Sequence, residues 1–167
     1  MTRNVLRAAL LSLSLGFAAL AAPAPAAAQT HTDSVRFDVH LDFGWYSFVA
    51  AGFRVDIPIV AEGLISSVDD ELAITLGADV GWFYHKGDSG FGVYPVLAFQ
   101  WNFYLSEKWS IFPELGVAFL FGPNRNRYWG TFAAPHGGFG VRYHFNDRNA
   151  LLMRVTWPGG FQVGLTF

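Results

Sequence analysis

The sequence predicts an all-β protein, a closed antiparallel eight-stranded transmembrane β-barrel with short periplasmic turns, and three observations predict it. Apolar and polar residues alternate through eight segments, the period of a strand rather than of a helix. The chain is 52% hydrophobic and 17% aromatic but only 14% charged, against about 25% charged in ordinary soluble domains, so something other than water faces much of it. Past residue 30 no apolar run approaches the roughly 18 residues of a membrane helix. A lipid-facing surface must therefore be built from strands.

Residues 1–28 read as a secretory leader. Arg3 and Arg7 give a positive start, Ala8 to Ala22 an apolar stretch, and Ala26-Ala27-Ala28 a small-residue cleavage site, with cleavage expected before Gln29. Pro23, Pro25 and the shortness of the apolar stretch argue against a retained helical anchor. Residues 29–167 are then one domain. Without Arg3 and Arg7 the 11 basic residues of the chain fall to 9 against 13 acidic ones, a formal charge of −4, which excludes nucleic acid as an expected partner. With no cysteine there is neither a disulfide framework nor a thiolate metal site.

Side chains on a strand alternate between faces, and a membrane barrel turns one face to lipid and the other to a polar lumen. In Val35 to Trp45 every odd position is apolar, and the even positions are Arg36, Asp38, His40, Asp42 and Gly44. The second segment puts Phe53, Val55, Ile57 and Ile59 outward with Arg54 and Asp56 inward. The third sets Leu72, Ile74, Leu76, Ala78, Val80 and Trp82 against Ala73, Thr75, Gly77, Asp79 and Gly81. From Phe91 to Leu105 the outward set is Phe91, Val93, Pro95, Leu97, Phe99, Trp101 and Phe103, with Gln100, Asn102 and Tyr104 inward. The fifth turns Trp109, Ile111, Leu115, Val117, Phe119 and Phe121 outward and Glu114 and Gly116 inward. In the sixth, Phe139, Val141, Tyr143 and Phe145 oppose Gly138, Gly140, Arg142 and His144. Leu151, Met153, Val155 and Trp157 oppose Arg154 and Thr156 in the seventh. The last sets Phe161, Val163, Leu165 and Phe167 against Gln162, Gly164 and Thr166.

A tilted strand needs about 9–11 residues to cross a bilayer, and several segments reach that length. Trp45, Trp82, Trp101, Trp109, Tyr143 and Trp157 fall toward segment ends, where interfacial aromatic girdles belong. Leu105 to Trp109 and Asn146 to Asn149 are tight turns that alternate with the longer His85 to Gly90 and Gly122 to Thr131. Short periplasmic turns and longer external loops then place both termini in the periplasm. Val60 to Asp70 is long for such a turn, and Pro158-Gly159 short for such a loop. Pro58, Pro95 and Pro113 lie inside expected strands, where each removes a ladder hydrogen bond, and bulges are expected to absorb them.

The chain ends Phe161-Gln-Val-Gly-Leu-Thr-Phe167, an alternating strand with a terminal aromatic residue. Here it resembles the small outer-membrane barrels of the OmpA and OmpX type, in architecture over residues 29–167 and in motif over this last strand. The resemblance implies residence in the outer membrane. It also implies that Phe161, Val163, Leu165 and Phe167 form the signal read by the β-barrel assembly machinery.

Barrels of about eight strands have interiors that side chains fill, so the lumen is expected to be plugged. The inward set holds Asp38, Asp42, Asp56, Asp79 and Glu114 with Arg36, Arg54, Arg142 and Arg154, plus His40 and His144. This near balance favours a salt-bridged network. The competing reading is a narrow path for ions or small solutes. His40, His136 and His144 are scattered over different segments, so no metal site and no cofactor are expected.

His85, Asp88 and Ser89 share one expected loop. They are residue types that lipid A palmitoyltransferases carry externally. The amphipathic N-terminal helix of that family is absent, no His-x-Ser triplet of the deacylase kind occurs, and Asp88-Ser89-Gly90 is ordinary turn chemistry. No catalytic residue is expected. Lys86, Arg125 and Arg127 lie in expected external loops, at the level of phosphorylated lipopolysaccharide, where charge-assisted contacts would form; a merely solvated loop is the equal alternative. A soluble eight-stranded carrier would show charged outer faces, which these are not. The expected protein is a non-enzymatic barrel whose partners are outer-membrane lipids, lipopolysaccharide, the assembly machinery and neighbouring barrels or a surface partner.

Overall fold

Alternation of side chains commits each strand to two chemically distinct faces, and closing the sheet removes every unpaired edge that lipid could not satisfy. The computed structural model describes residues 34–44, 48–61, 63–85, 88–122 and 132–167. Its strands are β1 (Arg36–Gly44), β2 (Phe48–Val60), β3 (Asp70–His85), β4 (Asp88–Ser106), β5 (Trp109–Leu120), β6 (Phe132–His144), β7 (Ala150–Trp157) and β8 (Gly160–Thr166). Each pairs antiparallel with the next and β8 pairs with β1, giving a closed barrel of eight strands. Beyond β8, the amides of Phe37 and Phe167 each donate to the other's carbonyl, at 3.0 and 2.8 Å.

The faces divide by chemistry. Phe37, Leu97 and Val117 are 53%, 45% and 40% exposed, whereas Asp38 and Arg142 are 2% exposed. The barrel is therefore apolar outside and ionic within. Trp82 packs edge-on against Phe91 with centroids 5.1 Å apart, and Trp109 against Tyr143 at 4.9 Å, so aromatic residues flank the outer band at both ends. Trp45 lies outside the described residues.

The structure corrects three expected boundaries. β2 starts at Phe48, because Ala50, Ala51 and Gly52 leave no apolar contrast between the faces for alternation to reveal. β6 starts at Phe132, its early half hidden by Ala133, Ala134, Pro135 and two glycines. The expected loop His85 to Gly90 is largely strand: β3 and β4 pair through His85↔Asp88, Tyr84↔Ser89 and Phe83↔Gly90. Backbone pairing continues there because ladder hydrogen bonds satisfy groups that an open loop would leave to solvent.

β3 and β4 have 16 and 19 residues, β7 and β8 only 8 and 7. The rim opposite the termini therefore rises over the β3–β4 hairpin and falls at Pro158-Gly159.

The three prolines expected inside strands sit where a ladder is interrupted, and a fourth, Pro135 of β6, pairs with Val117 on β5 while β6–β7 pairing begins only at Gly137. Pro58 adjoins the register shift between β2 and β3. Pro95 pairs with Ala78 on β3, while β4–β5 pairing lapses between the Val93↔Phe121 bridge and Val96↔Ala118. Pro113 pairs with Phe139 on β6, and the β4–β5 ladder passes from Gln100↔Glu114 to Phe103↔Ile111 with its register unchanged. The missing N–H is thus accommodated by skipping pairs on one side.

Candidate functional site

Among the described residues polar and ionisable side chains concentrate in the lumen, and strand register sets them out in layers. At the end holding the termini, Arg36 of β1 grips Glu71 of β3, with Nη1 donating to Oε2 at 2.8 Å and Nη2 donating to Oε1. Asn102 donates to the same carboxylate at 2.9 Å, and the Tyr104 hydroxyl stands 3.3 Å from it. His144 bonds Ser110 at 2.9 Å beside this layer.

The second layer centres on Asp56. Arg142 reaches it at 2.6 Å, Thr75 at 2.7 Å and Gln100 at 3.1 Å. The Arg142 guanidinium also lies 4.3 Å above the ring of Phe112, which is fully buried. Gly140 faces that ring from β6, and a Cβ there would overlap it, so the glycine makes room for the aromatic filler.

In the third layer Arg154 donates to Asp38 at 2.7 Å and to Gln162 at 3.2 Å. Glu114 receives Arg54 at 3.2 Å and contacts His136 at 2.8 Å, and Arg154 Nε stands 3.6 Å from its other oxygen. Above this, His40 joins two carboxylates, with Nδ1 2.7 Å from Asp38 and Nε2 2.8 Å from Asp79, while Asp42 Oδ2 lies 3.7 Å from Nε2. An apolar cluster of Ala50, Phe83, Tyr94, Val96, Ala98, Ala118 and Leu120 packs next toward the far rim.

Arg54, Arg142 and Arg154 are each 2% exposed or less, yet carry full charge in an enclosed space. Such ions persist only when paired and hydrogen-bonded, and stripping one partner from a buried pair costs about 3–5 kcal/mol. The bonds join strands that are not neighbours in the wall, β6 to β2 through Arg142–Asp56 and β7 to β1, across β8, through Arg154–Asp38. Chemically the arrangement can brace the wall, exclude water, or pass protons between carboxylates and imidazoles.

Of the residues the sequence pointed inward, Arg36, Asp38, His40, Asp42, Arg54, Asp56, Asp79, Glu114, Arg142 and Arg154 all lie in these layers. His144 stands with Ser110 at the terminal end, apart from the others. His40 and His136 are linked through Asp38, Arg154 and Glu114, while His144 stands apart with Ser110. Alternation read two residues further would have found Glu71 below Ala73, and His136 before Gly138. The register His85↔Asp88 places those two residues on neighbouring strands rather than in a loop. Lys86, Arg125 and Arg127 lie outside the described residues. Phe161, Leu165 and Phe167 are exposed on the outer face, with Val163 between them half-buried on the same face.

No protein-family model matches the chain, and no curated protein does. Among solved structures it is similar to a de novo designed transmembrane β-barrel, with a TM-score of 0.52 and 11% identity over 81% of this chain and 94% of that one. It is similar to the N-terminal β-barrel domain of Pseudomonas aeruginosa OprF, with a TM-score of 0.50 and 13% identity over 80% and 94%. Ail, the attachment invasion locus protein of Yersinia pestis, solved with the heparin analogue sucrose octasulfate, gives 0.49 and 10% over 80% and 95%. The chain has the fold of small outer-membrane barrels of the OmpA and OmpX type, a closed all-β barrel of eight antiparallel strands.

Proposed function

We propose that this protein is a non-enzymatic barrel of the Gram-negative outer membrane with a lumen closed to solutes. In this reading residues 1–28 direct export and are removed before Gln29, and both termini face the periplasm. The observation that carries it is the pairing of an apolar exterior with three fully enclosed arginines whose bonds cross the interior. A water-filled channel needs many more strands than eight. The apolar cluster around Tyr94 and Leu120 supports closure, because ions cross a dry apolar constriction poorly.

The role that follows is structural, with surface contacts. Lys86, Arg125 and Arg127 would engage lipopolysaccharide phosphates at the far rim, and the outer aromatic face would meet lipid or neighbouring barrels. Phe161, Val163, Leu165 and Phe167 would be read by the assembly machinery. The test is conductance in planar bilayers with the purified barrel: no resolvable current is expected, and discrete steps would overturn the closed lumen. Unchanged lipid A mass spectra on overexpression are expected of a protein that modifies no lipid.

A narrow conducting path is the second reading. It is favoured by the column of ionisable groups running from Arg36 and Glu71 through Asp56, Arg154 and Glu114 to His40 and Asp79. Discrete conductance steps that vanish in Arg142→Gln would support it.

A further inference from the structure

We propose that the upper lumen holds a divalent transition-metal cation, of the zinc class, ligated by His40, Asp42 and Asp79. One ligating atom from each lies within 4.8 Å of the others, and all three residues are buried. Donors sharing a zinc at about 2.0 Å stand about 3.3 Å apart in tetrahedral geometry. His40 Nε2 is 2.8 Å from Asp79 Oδ1 and 3.7 Å from Asp42 Oδ2, which brackets that spacing.

Three features separate this cluster from a chance meeting of acids. Asp42 is fully buried, and among the described residues no donor meets either of its carboxylate oxygens in full hydrogen-bond geometry, the Gln162 amide opposite it in the register being its neutral neighbour. An unmatched buried carboxylate is among the costliest groups a protein can keep. The Tyr94 hydroxyl, on a residue 4% exposed and opposite Asp79 in the register, is likewise unpartnered. Second, His40 Nδ1 is 2.7 Å from Asp38. A carboxylate holding one imidazole nitrogen is the outer support that ligating histidines almost always have, and a metal would take the place of the proton between Nε2 and Asp79. Third, Gly52 stands between His40 and Asp79 in the register, and a Cβ there would collide with both side chains. The wall is cut away where the two donors meet.

Charge points the same way. Among the described residues, Asp38, Asp42, Asp56, Glu71, Asp79 and Glu114 give six inward carboxylates against the four guanidiniums of Arg36, Arg54, Arg142 and Arg154. A bound dication would offset that excess of carboxylates. An imidazole with two carboxylates suits zinc or manganese; calcium demands six to eight oxygens, and magnesium prefers oxygen ligands with retained waters.

The experiment refolds the mature barrel in detergent with zinc present, dialyses it, and measures bound metal by elemental analysis. One zinc per barrel is expected, with His144→Gln unaffected. Asp42→Asn and His40→Gln should lose the metal, and Asp38→Asn should weaken it about 10–100-fold. Absence of stoichiometric zinc in the folded wild type overturns the proposal, as does undiminished binding in Asp42→Asn. So does a His40 ring found doubly protonated by NMR with zinc in excess, which would mean that an imidazolium bridges the carboxylates instead. Should the variants not fold, cobalt in the wild-type barrel decides: d–d bands of a nitrogen–oxygen site that zinc abolishes support it, and their absence overturns it. Conductance plays no part in these readouts, so this proposal stands or falls apart from the closed lumen.

Discussion

Arg142 Nη2 lies 2.6 Å from Asp56 Oδ2, a bond that joins β6 to β2, strands that are not neighbours in the wall. Asp56 also accepts from Thr75 and Gln100, so removing the guanidinium leaves an anion served only by neutral donors. Arg142→Met should lower stability by about 3–5 kcal/mol. The double variant Arg142→Met with Asp56→Asn should lose clearly less, because it leaves no unmatched charge. Urea unfolding in lipid vesicles measures both; equal losses would mean that the pair is not what holds these strands.

Phe112 and Gly140 make a packing pair rather than an electrostatic one. The ring fills the space the glycine leaves, and the Arg142 and Arg154 guanidiniums lie 4.3 and 5.4 Å from its centroid. Gly140→Ala should destabilise by about 1–3 kcal/mol, the usual consequence of overfilling a packed interior. Adding Phe112→Leu should recover part of that loss. A double variant no better than the single would show that the ring is not what the new methyl meets.

Much of this was legible in the sequence because an apolar exterior and ions inside enforce one chemical contrast. Asp38 between Phe37 and Val39 reads unambiguously, and so do Arg154 and Gln162. Legibility failed where both faces carry small residues. Ala50, Ala51 and Gly52 hide the first half of β2, and the glycines beside His136 hid a lumen imidazole. Partners were beyond reach: alternation says that Arg142 faces in, but only the stagger of strands around the barrel puts it against Asp56 rather than Asp38. Asp70 shows a further limit, since its place in the alternation is outward and a turn buries it.

Asp70 organises that turn. Its carboxylate accepts from the Leu64 and Ile65 amides at 2.9 and 3.2 Å and from the Trp101 indole at 2.6 Å. Gly63 enters the turn at φ +74°, a conformation other residues adopt at a cost, and a Cβ there would overlap Asp70. Asp70→Ala should therefore free residues 61–69 without opening the barrel. In detergent the expected result is faster proteolysis confined to that turn, with Asp70→Asn intermediate because it keeps one acceptor. Cleavage at the wild-type rate would show that the carboxylate does not order the segment.

The membrane reading itself can be tested by charge placed at two depths on the outer wall. Leu115 is 70% exposed in the middle of β5, paired with Phe99 and Gly137, while Leu105 lies at the end of β4 beside a turn. If hydrocarbon covers the wall, an arginine at the midplane costs about 2–4 kcal/mol and one near the interface about 0–1. Leu115→Arg should then destabilise the barrel in vesicles well beyond Leu105→Arg. A barrel standing in water would behave otherwise, because an arginine on an exposed apolar wall costs nothing there and reduces association. The difference between the two variants, rather than either value alone, isolates the solvent, since helix or strand propensity and side-chain entropy are nearly common to both. Equal, small losses in vesicles would remove lipid from the outer face.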